Sequence, residues 1–262
     1  MLEALSPQRR RVVLLAAGLA LLLVVVIGVT AALRLRSTAV EPVSQDQLGP
    51  VLLVPGYGGT GASLAPLAEA LRAAGRDAVV VPPVGDGTGD LATQAEHLGE
   101  VARQVMADRG APSVDVVGYS AGGVVARLWV RDAGGGSVAR RVLTLGSPQH
   151  GTSQAALGLE LAGRCPVACE QLVPGSDLLR RLNARNETPP GPAWVTVRST
   201  TDRVVTPVES AALAGALNLV VQDGCPGAST SHPALPSDPY VLATLASTLG
   251  PQTPAAPTRV RC

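Results

Sequence analysis

Short runs of consecutive apolar residues alternate along this chain with stretches in which apolar positions recur every three or four residues. Val51-Leu52-Leu53-Val54 is the first continuous run, and it ends at Pro55-Gly56. Such runs, bounded by turn residues, fit strands buried on both faces. Further runs predict strands at 78–81, 114–117, 138–145, 194–199 and 217–221. Between them lie helical patterns. Ser63 stands where an N-cap belongs, Leu64, Leu67, Ala68 and Leu71 follow at helical spacing, and Gly75 stops the pattern. Asp90 caps a second helix, with Leu91, Ala95, Leu98, Ala102 and Val105 on one face and Gly110 after it. A third runs over 122–133 and ends at Gly134-Gly135-Gly136. Alternating strands and helices predict an α/β fold, a mostly parallel sheet with helices on both faces. Residues 151–191 break the rhythm with Gly and Pro signals and one short helical patch near Leu178. An insertion of that length at a sheet edge serves as a lid or a pocket wall.

One segment has a different character. Residues 12–33 carry no charge and are apolar almost throughout, with Arg9, Arg10 and Arg11 before them and Arg34 and Arg36 after. As a helix they span roughly 30 Å, the thickness of a bilayer's hydrocarbon core. The basic flank favours the cytoplasmic side, which places the rest of the chain outside the membrane. A retained transmembrane anchor is the favoured reading. A cleaved signal peptide is its rival, because Val29-Thr30-Ala31 and Thr30-Ala31-Ala32 offer small residues for cleavage. The expected organisation is therefore a basic tip and anchor or signal peptide over 1–36, a linker over 37–50, the α/β domain over 51–250 and a tail over 251–262 tied by Cys262.

Composition narrows the partners. With 46% hydrophobic and 16% charged residues the chain is not a disordered polypeptide. From residue 37 onward 16 Arg face 19 acidic residues, so no basic face for nucleic acid is expected. The cysteines agree with an extracytoplasmic location. Cys165, Cys169, Cys225 and Cys262 are even in number, which suggests disulfides. The expected pairs are Cys165–Cys169, closing a local loop, and Cys225–Cys262, tying back the tail. No metal site is expected, since no nearby His completes a four-ligand zinc set.

Candidate chemistry centres on Gly118-Tyr119-Ser120-Ala121-Gly122, a Gly-x-Ser-x-Gly pentapeptide between a predicted strand and a predicted helix. A sharp strand-to-helix turn there exposes the serine hydroxyl, making Ser120 a candidate nucleophile. Such a serine needs a base, and the base needs an orienting carboxylate. Three histidines are available. His97 sits among Gln94, Glu96 and Glu100 on a helix, His150 follows the fourth strand, and His232 lies in a loop after the last strand. His232 is preferred, with His150 as competitor. Asp202 follows the fifth strand and is the preferred acid. Asp223 is its rival, Asp177 reads as a helix start and Asp238 as a loop acid. A tetrahedral oxyanion needs donors, and the N–H groups of Tyr57 and Ala121 are the candidates. Losing one such donor costs about 3 kcal/mol of transition-state stabilisation.

These residues resemble the bacterial lipase/esterase group of the α/β-hydrolase superfamily. The resemblance rests on Val54-Pro55-Gly56-Tyr57-Gly58-Gly59, Gly118-Tyr119-Ser120-Ala121-Gly122-Gly123, Thr144-Leu145-Gly146-Ser147-Pro148-Gln149-His150-Gly151-Thr152, Asp202-Arg203-Val204-Val205-Thr206-Pro207 and Ser231-His232-Pro233. It covers roughly residues 50–250. Pro55 stands where the family usually has His before Gly, so the side-chain contacts around the oxyanion donors differ. The order Ser120, Asp202, His232 is the family's chain order. The resemblance implies hydrolysis of carboxylic esters, often lipids, without a cofactor. Acyl transfer on the same fold, or a non-catalytic envelope-binding role, are the alternatives.

Overall fold

The computed structural model describes residues 7–37 and 40–262 and divides into two units, Met1–Val40 and Glu41–Cys262. The first contains helix α1 (Pro7–Ser37, 31 residues). Its described side chains include one long run, residues 15–30, and every one of these is exposed. Among the described residues no helix is long and apolar enough to cross a membrane. The apolar segment 12–33 extends beyond that run. The side chains of Arg9, Arg10, Arg34 and Arg36, and of Ala31 and Ala32 at the proposed cleavage points, lie outside the described residues.

In the second unit, six strands among the described residues form one parallel sheet. They are β1 (Val51–Val54), β2 (Ala78–Val80), β3 (Val114–Tyr119), β4 (Ala139–Leu145), β5 (Ala193–Arg198) and β6 (Leu217–Val220), in spatial order β2-β1-β3-β4-β5-β6. All six expected strands are present. β1, β3 and β4 are buried along their whole length, and β1 accordingly reads as an unbroken apolar run, while β3 and β4 carry the buried charges Asp115, Arg140 and Arg141 at their starts.

Side chains alternate across the sheet, and each face has its own core. On one face Leu52, Val54, Val116 and Val142 pack with Leu98 and Ala102 of α3 (Leu91–Arg109) and Val124 and Trp129 of α4 (Ala121–Asp132). On the other, Leu53, Val117, Leu143 and Val195 pack with Leu67 and Leu71 of α2 (Ala65–Ala73) and Val241 and Leu245 of α9 (Pro239–Leu249). α3 begins at Asp90, whose carboxylate accepts from Thr93 N–H at 2.8 Å, and ends at Gly110 in the left-handed region. α2 departs from expectation. A 3-10 turn over Gly61–Leu64 precedes it, so Ser63 donates to the Thr60 carbonyl instead of capping the helix. Asp238, read as a loop acid, is the N-cap of α9 and accepts from Tyr240 and Val241 N–H.

The segment 151–191 holds α5 (Ser153–Ala162), α6 (Val167–Gln171) and α7 (Asp177–Asn183). α7 buries Leu178, Leu179 and Leu182, whereas α5 buries none of its residues. Among the described residues two disulfides form, Cys165–Cys169 and Cys225–Cys262, with Cα separations of 5.8 and 5.7 Å.

Residues 45–50, although partly exposed, are tied to the second unit through their carbonyls. The Gly49 carbonyl accepts from Arg76 at 3.0 Å, the Gln45 carbonyl from Arg140 at 2.7 Å, and the Pro50 carbonyl from Asp115 N–H at 2.9 Å. The same arginines bind the far end of the chain. Arg140 donates to the carbonyls of Leu249 and Gly250, and Arg141 to those of Thr248 and Gln252. Asp115, fully buried, accepts from Arg76 at 2.7 Å and Arg140 at 2.5 Å.

Candidate active site

β3 delivers Ser120 at its carboxyl end, directly before α4 begins. Ser120 has φ 54° and ψ −128°; among the described residues it is the one non-glycine with positive φ. A serine held there has been forced by its surroundings, and such outliers mark functional turns. The turn is tight. A Cβ on Gly122 would lie 2.3 Å from the Val54 carbonyl oxygen, so that position accepts glycine alone.

The structure brings Ser120, Asp202 and His232 together from three elements. Asp202 follows β5, and His232 opens a 3-10 turn, His232–Ser237, beyond β6 and α8 (Val221–Gly224). His232 Nδ1 lies 2.7 Å from Asp202 Oδ2, and Nε2 lies 3.0 Å from Ser120 Oγ. Nδ1 faces a carboxylate and therefore donates, leaving Nε2 to accept from the serine hydroxyl. Asp202 and His232 are buried while Ser120 is part-exposed.

Burial pushes the Asp202 carboxyl up. The hydrogen bond from His232, the charge of that ring and the N–H groups of Val205 and Val204 outweigh it and hold the carboxyl below its ordinary value. Its second oxygen accepts from Val204 at 2.8 Å and Val205 at 3.0 Å. Asp202 is thus fixed by three donors and stays ionised near neutral pH.

The loop after β1 approaches the same place. A Cβ on Gly56 would sit 3.4 Å from Ser120 Oγ. Among the described residues neither Tyr57 N–H nor Ala121 N–H has a backbone acceptor outside regular helices and strands. The Ala121 N–H opens α4, where the helix dipole favours negative charge. A cavity of about 240 Å³ opens beside Ser120, walled mainly by Tyr57, Pro148, Ala155, Leu172, Val204 and Val205. Cys169, one half of the local disulfide, also lines it.

The other candidates are engaged elsewhere. His150 Nε2 lies 2.8 Å from Glu187 Oε1 and Nδ1 3.2 Å from the Ser210 carbonyl, so both ring nitrogens are occupied away from Ser120. Burial pushes the Glu187 carboxyl up, but Ala214 N–H and His150 hold it below its ordinary value. His97 stands 3.6 Å from Glu100 on α3. Asp177 opens α7 and Asp223 lies exposed in α8.

The sequence reading missed Gly146, at φ 52° just after β4. A Cβ there would come 3.2 Å from both Asp202 Oδ2 and His232 Nδ1, and 2.5 Å from Leu235. Its place directly beyond the strand, in Leu145-Gly146-Ser147, was the available signal. Among the described residues no group of three or more His, Cys, Asp or Glu is placed to hold a metal ion.

A parallel sheet with helices on both faces and a serine on a strained strand-to-helix turn is the arrangement expected of an α/β-hydrolase fold. The comparisons agree. A family model described as lipase (class 2) matches residues 97–224. The Bacillus licheniformis lipase BlEst2 in its mature form superposes with TM-score 0.65 at 17% identity, covering 81% of this chain and 95% of that one. Aspergillus fumigatus lipase B superposes with TM-score 0.71 at 21% identity, over 83% of this chain and 57% of that one. A gene product of Listeria innocua superposes with TM-score 0.56 at 15% identity, over 78% and 94%. The chain thus resembles bacterial and fungal lipases and esterases of the α/β-hydrolase superfamily, in a sequence segment and in fold.

Proposed function

We propose that the chain is a serine hydrolase of carboxylic esters, working through an acyl-enzyme. Ser120 Oγ attacks the ester carbonyl while His232 Nε2 takes its proton. Asp202 keeps the imidazole in the right tautomer and stabilises the imidazolium. The N–H groups of Tyr57 and Ala121 bind the oxyanion. Collapse breaks the bond to the alcohol, which leaves with the proton from Nε2. Water then attacks the acyl-serine with the same histidine as base, releasing the acid and restoring Ser120.

The observation that carries this reading is the 3.0 Å and 2.7 Å pair of hydrogen bonds linking Ser120, His232 and Asp202 at a strained turn. The lipase family match supports the substrate class. The largely aliphatic cavity beside Ser120 suits an acyl group. We also propose that residues 12–33 anchor the enzyme outside the cytoplasmic membrane. The 22-residue uncharged stretch with arginines on both sides supports this, and the two disulfides fit an oxidising compartment.

The test is hydrolysis of a p-nitrophenyl ester series from short to long chain, together with fluorophosphonate labelling. Ser120→Ala should abolish both, turnover falling by as much as about 10⁶-fold, while the melting temperature holds. His232→Ala should match it and His150→Ala should be milder. Wild-type turnover in purified Ser120→Ala protein would overturn the reading.

A further inference from the structure

We propose that Tyr119 is a positioning residue that holds His232 in register with Ser120. This rests on the hydrolase reading above. The chain spends five aromatic side chains in 262 residues, and one of them lies against the imidazole. The two ring centroids are 5.1 Å apart with the planes tilted by 30°. The Tyr119 hydroxyl also donates to the His232 backbone carbonyl at 3.1 Å. One side chain therefore touches both the ring and the backbone of the proposed base.

Its own frame is rigid. Tyr119 is the last residue of β3, paired with Leu145 of β4, and Ser120 N–H donates to the Leu145 carbonyl at 2.9 Å. The proposed nucleophile and the tyrosine are thus neighbours on one fixed backbone, and the tyrosine reaches across to the histidine from there.

The loop carrying His232 is otherwise held by Leu235, buried in the core, and by side-chain bonds near its ends. Thr201 donates to the Thr230 carbonyl at 3.0 Å, and the Thr230 hydroxyl donates to Asp238 at 2.5 Å. Neither bond touches His232. The 3-10 turn that His232 opens has no side-chain cap. Asp202 fixes one ring nitrogen but leaves the ring free to tilt about that bond. An aromatic face and an anchored carbonyl remove that freedom. The ring face also favours the imidazolium that forms during turnover, because a cation within about 6 Å of an aromatic centroid is attracted to it. Burial, and then the charge of Asp202, push the phenol up to about 12, so it remains a neutral donor throughout the working range. Tyr119 does not line the cavity beside Ser120, so it acts through His232 and not on substrate.

Two variants separate the contributions. Tyr119→Phe keeps the ring and loses the hydroxyl; Tyr119→Leu loses both. On a soluble p-nitrophenyl ester, kcat should fall about fivefold in Tyr119→Phe, with a further drop of similar size in Tyr119→Leu. KM should stay within about twofold in both, because the acyl cavity is untouched. The rate of Ser120 labelling by a fluorophosphonate should fall in step with kcat. The downfield proton resonance of the His232–Asp202 hydrogen bond, read without substrate, should broaden from wild type to Phe to Leu. Wild-type kcat and labelling rate in Tyr119→Phe would overturn the inference, as would a rise in KM with kcat unchanged. If Tyr119→Leu does not fold, the Phe variant alone decides. A wild-type protein that neither labels at Ser120 nor turns over any ester refutes the hydrolase reading instead.

Discussion

At the scale of single residues, the site is defined as much by atoms that are missing as by those present. Gly146 sits under the Asp202–His232 pair, at a positive φ, with no room for a methyl group. Gly146→Ala carries two penalties: about 1–2 kcal/mol for a side chain in the left-handed region, and a Cβ pressed against Leu235 and the pair. We expect kcat/KM for a short ester to fall at least about tenfold. A purified variant with wild-type kinetics would show that the pair tolerates displacement. Asp202 sets a pH limit at the same scale. Its carboxyl is held below its ordinary value in the folded protein, against about 3.9 in an unfolded chain. Its contribution to stability is therefore complete above about pH 4 and is lost as pH falls through the folded value. Urea midpoints measured between pH 7 and pH 3 should drop less steeply in Asp202→Asn than in wild type. Ser120, Asp202 and His232 were readable as candidates because each follows a strand and the pentapeptide around Ser120 is distinctive. The role of Tyr119 was not, because it depends on a histidine 113 positions away, and Gly146 showed only its place beyond a strand, 86 positions from that histidine.

At the scale of elements, strands were more legible than helices. A strand buried on both faces announces itself by composition, as β1 does. α9 carried an N-cap and a proline at its first position, but Asp238 reads equally as a loop residue until its partners Tyr240, Val241 and Thr230 are seen. Ser63 failed as a cap because the backbone enters α2 through a 3-10 turn, which consumes the hydroxyl locally. The segment 151–191 is not uniform. Arg127 of α4, fully buried, donates to the Glu187 carbonyl at 2.6 Å, Asn183 Oδ1 at 2.7 Å and the Leu182 carbonyl at 3.0 Å. Burial drives its guanidinium down to about 10, against the pull of Glu187. α7 and the turn after it are thereby bolted to the helix that starts at Ser120. α5 has no such hold, and Leu157 and Leu161 stand 47% and 78% exposed on it. Arg127→Leu should cost about 2–4 kcal/mol, because it strands buried acceptors, whereas Leu161→Ser should change stability by about 0.5 kcal/mol or less. Limited proteolysis should cut within 153–164 well before 177–188. Equal protection of both stretches would contradict a segment with one fixed end and one loose end.

At the scale of the second unit as a whole, residues 45–50 and 248–252 meet at the end of the sheet opposite Ser120. Nothing in the local pattern announced this. Arg140 and Arg141 look like an interruption in a strand, since the carbonyls that receive them lie about 100 positions away, at Gln45 and 248–252. Asp115 is the counter-charge for Arg76 and Arg140. Removing it leaves buried guanidinium groups uncompensated, at a cost of about 3–5 kcal/mol. The Cys225–Cys262 disulfide ties the tail elsewhere, to the segment after β6. It closes a loop that contains His232, and by loop-closure entropy alone it is worth about 3–4 kcal/mol. A bridge spanning the loop around His232 is a natural candidate for steadying that histidine. The folded chain holds that loop by other means as well, through Thr201, Thr230 and Tyr119, and the arginines clamp 248–252 independently. Asp115→Asn and Cys262→Ser should therefore lower the unfolding midpoint by comparable amounts while kcat, measured well below that midpoint, stays within about twofold of wild type. The pair is informative because neither residue is part of the proposed catalytic set, yet the two changes act on different states. Asp115→Asn weakens the folded state, and Cys262→Ser frees the unfolded one. A selective loss of kcat in Cys262→Ser would mean that the bridge, and not the loop's own hydrogen bonds, sets the position of His232.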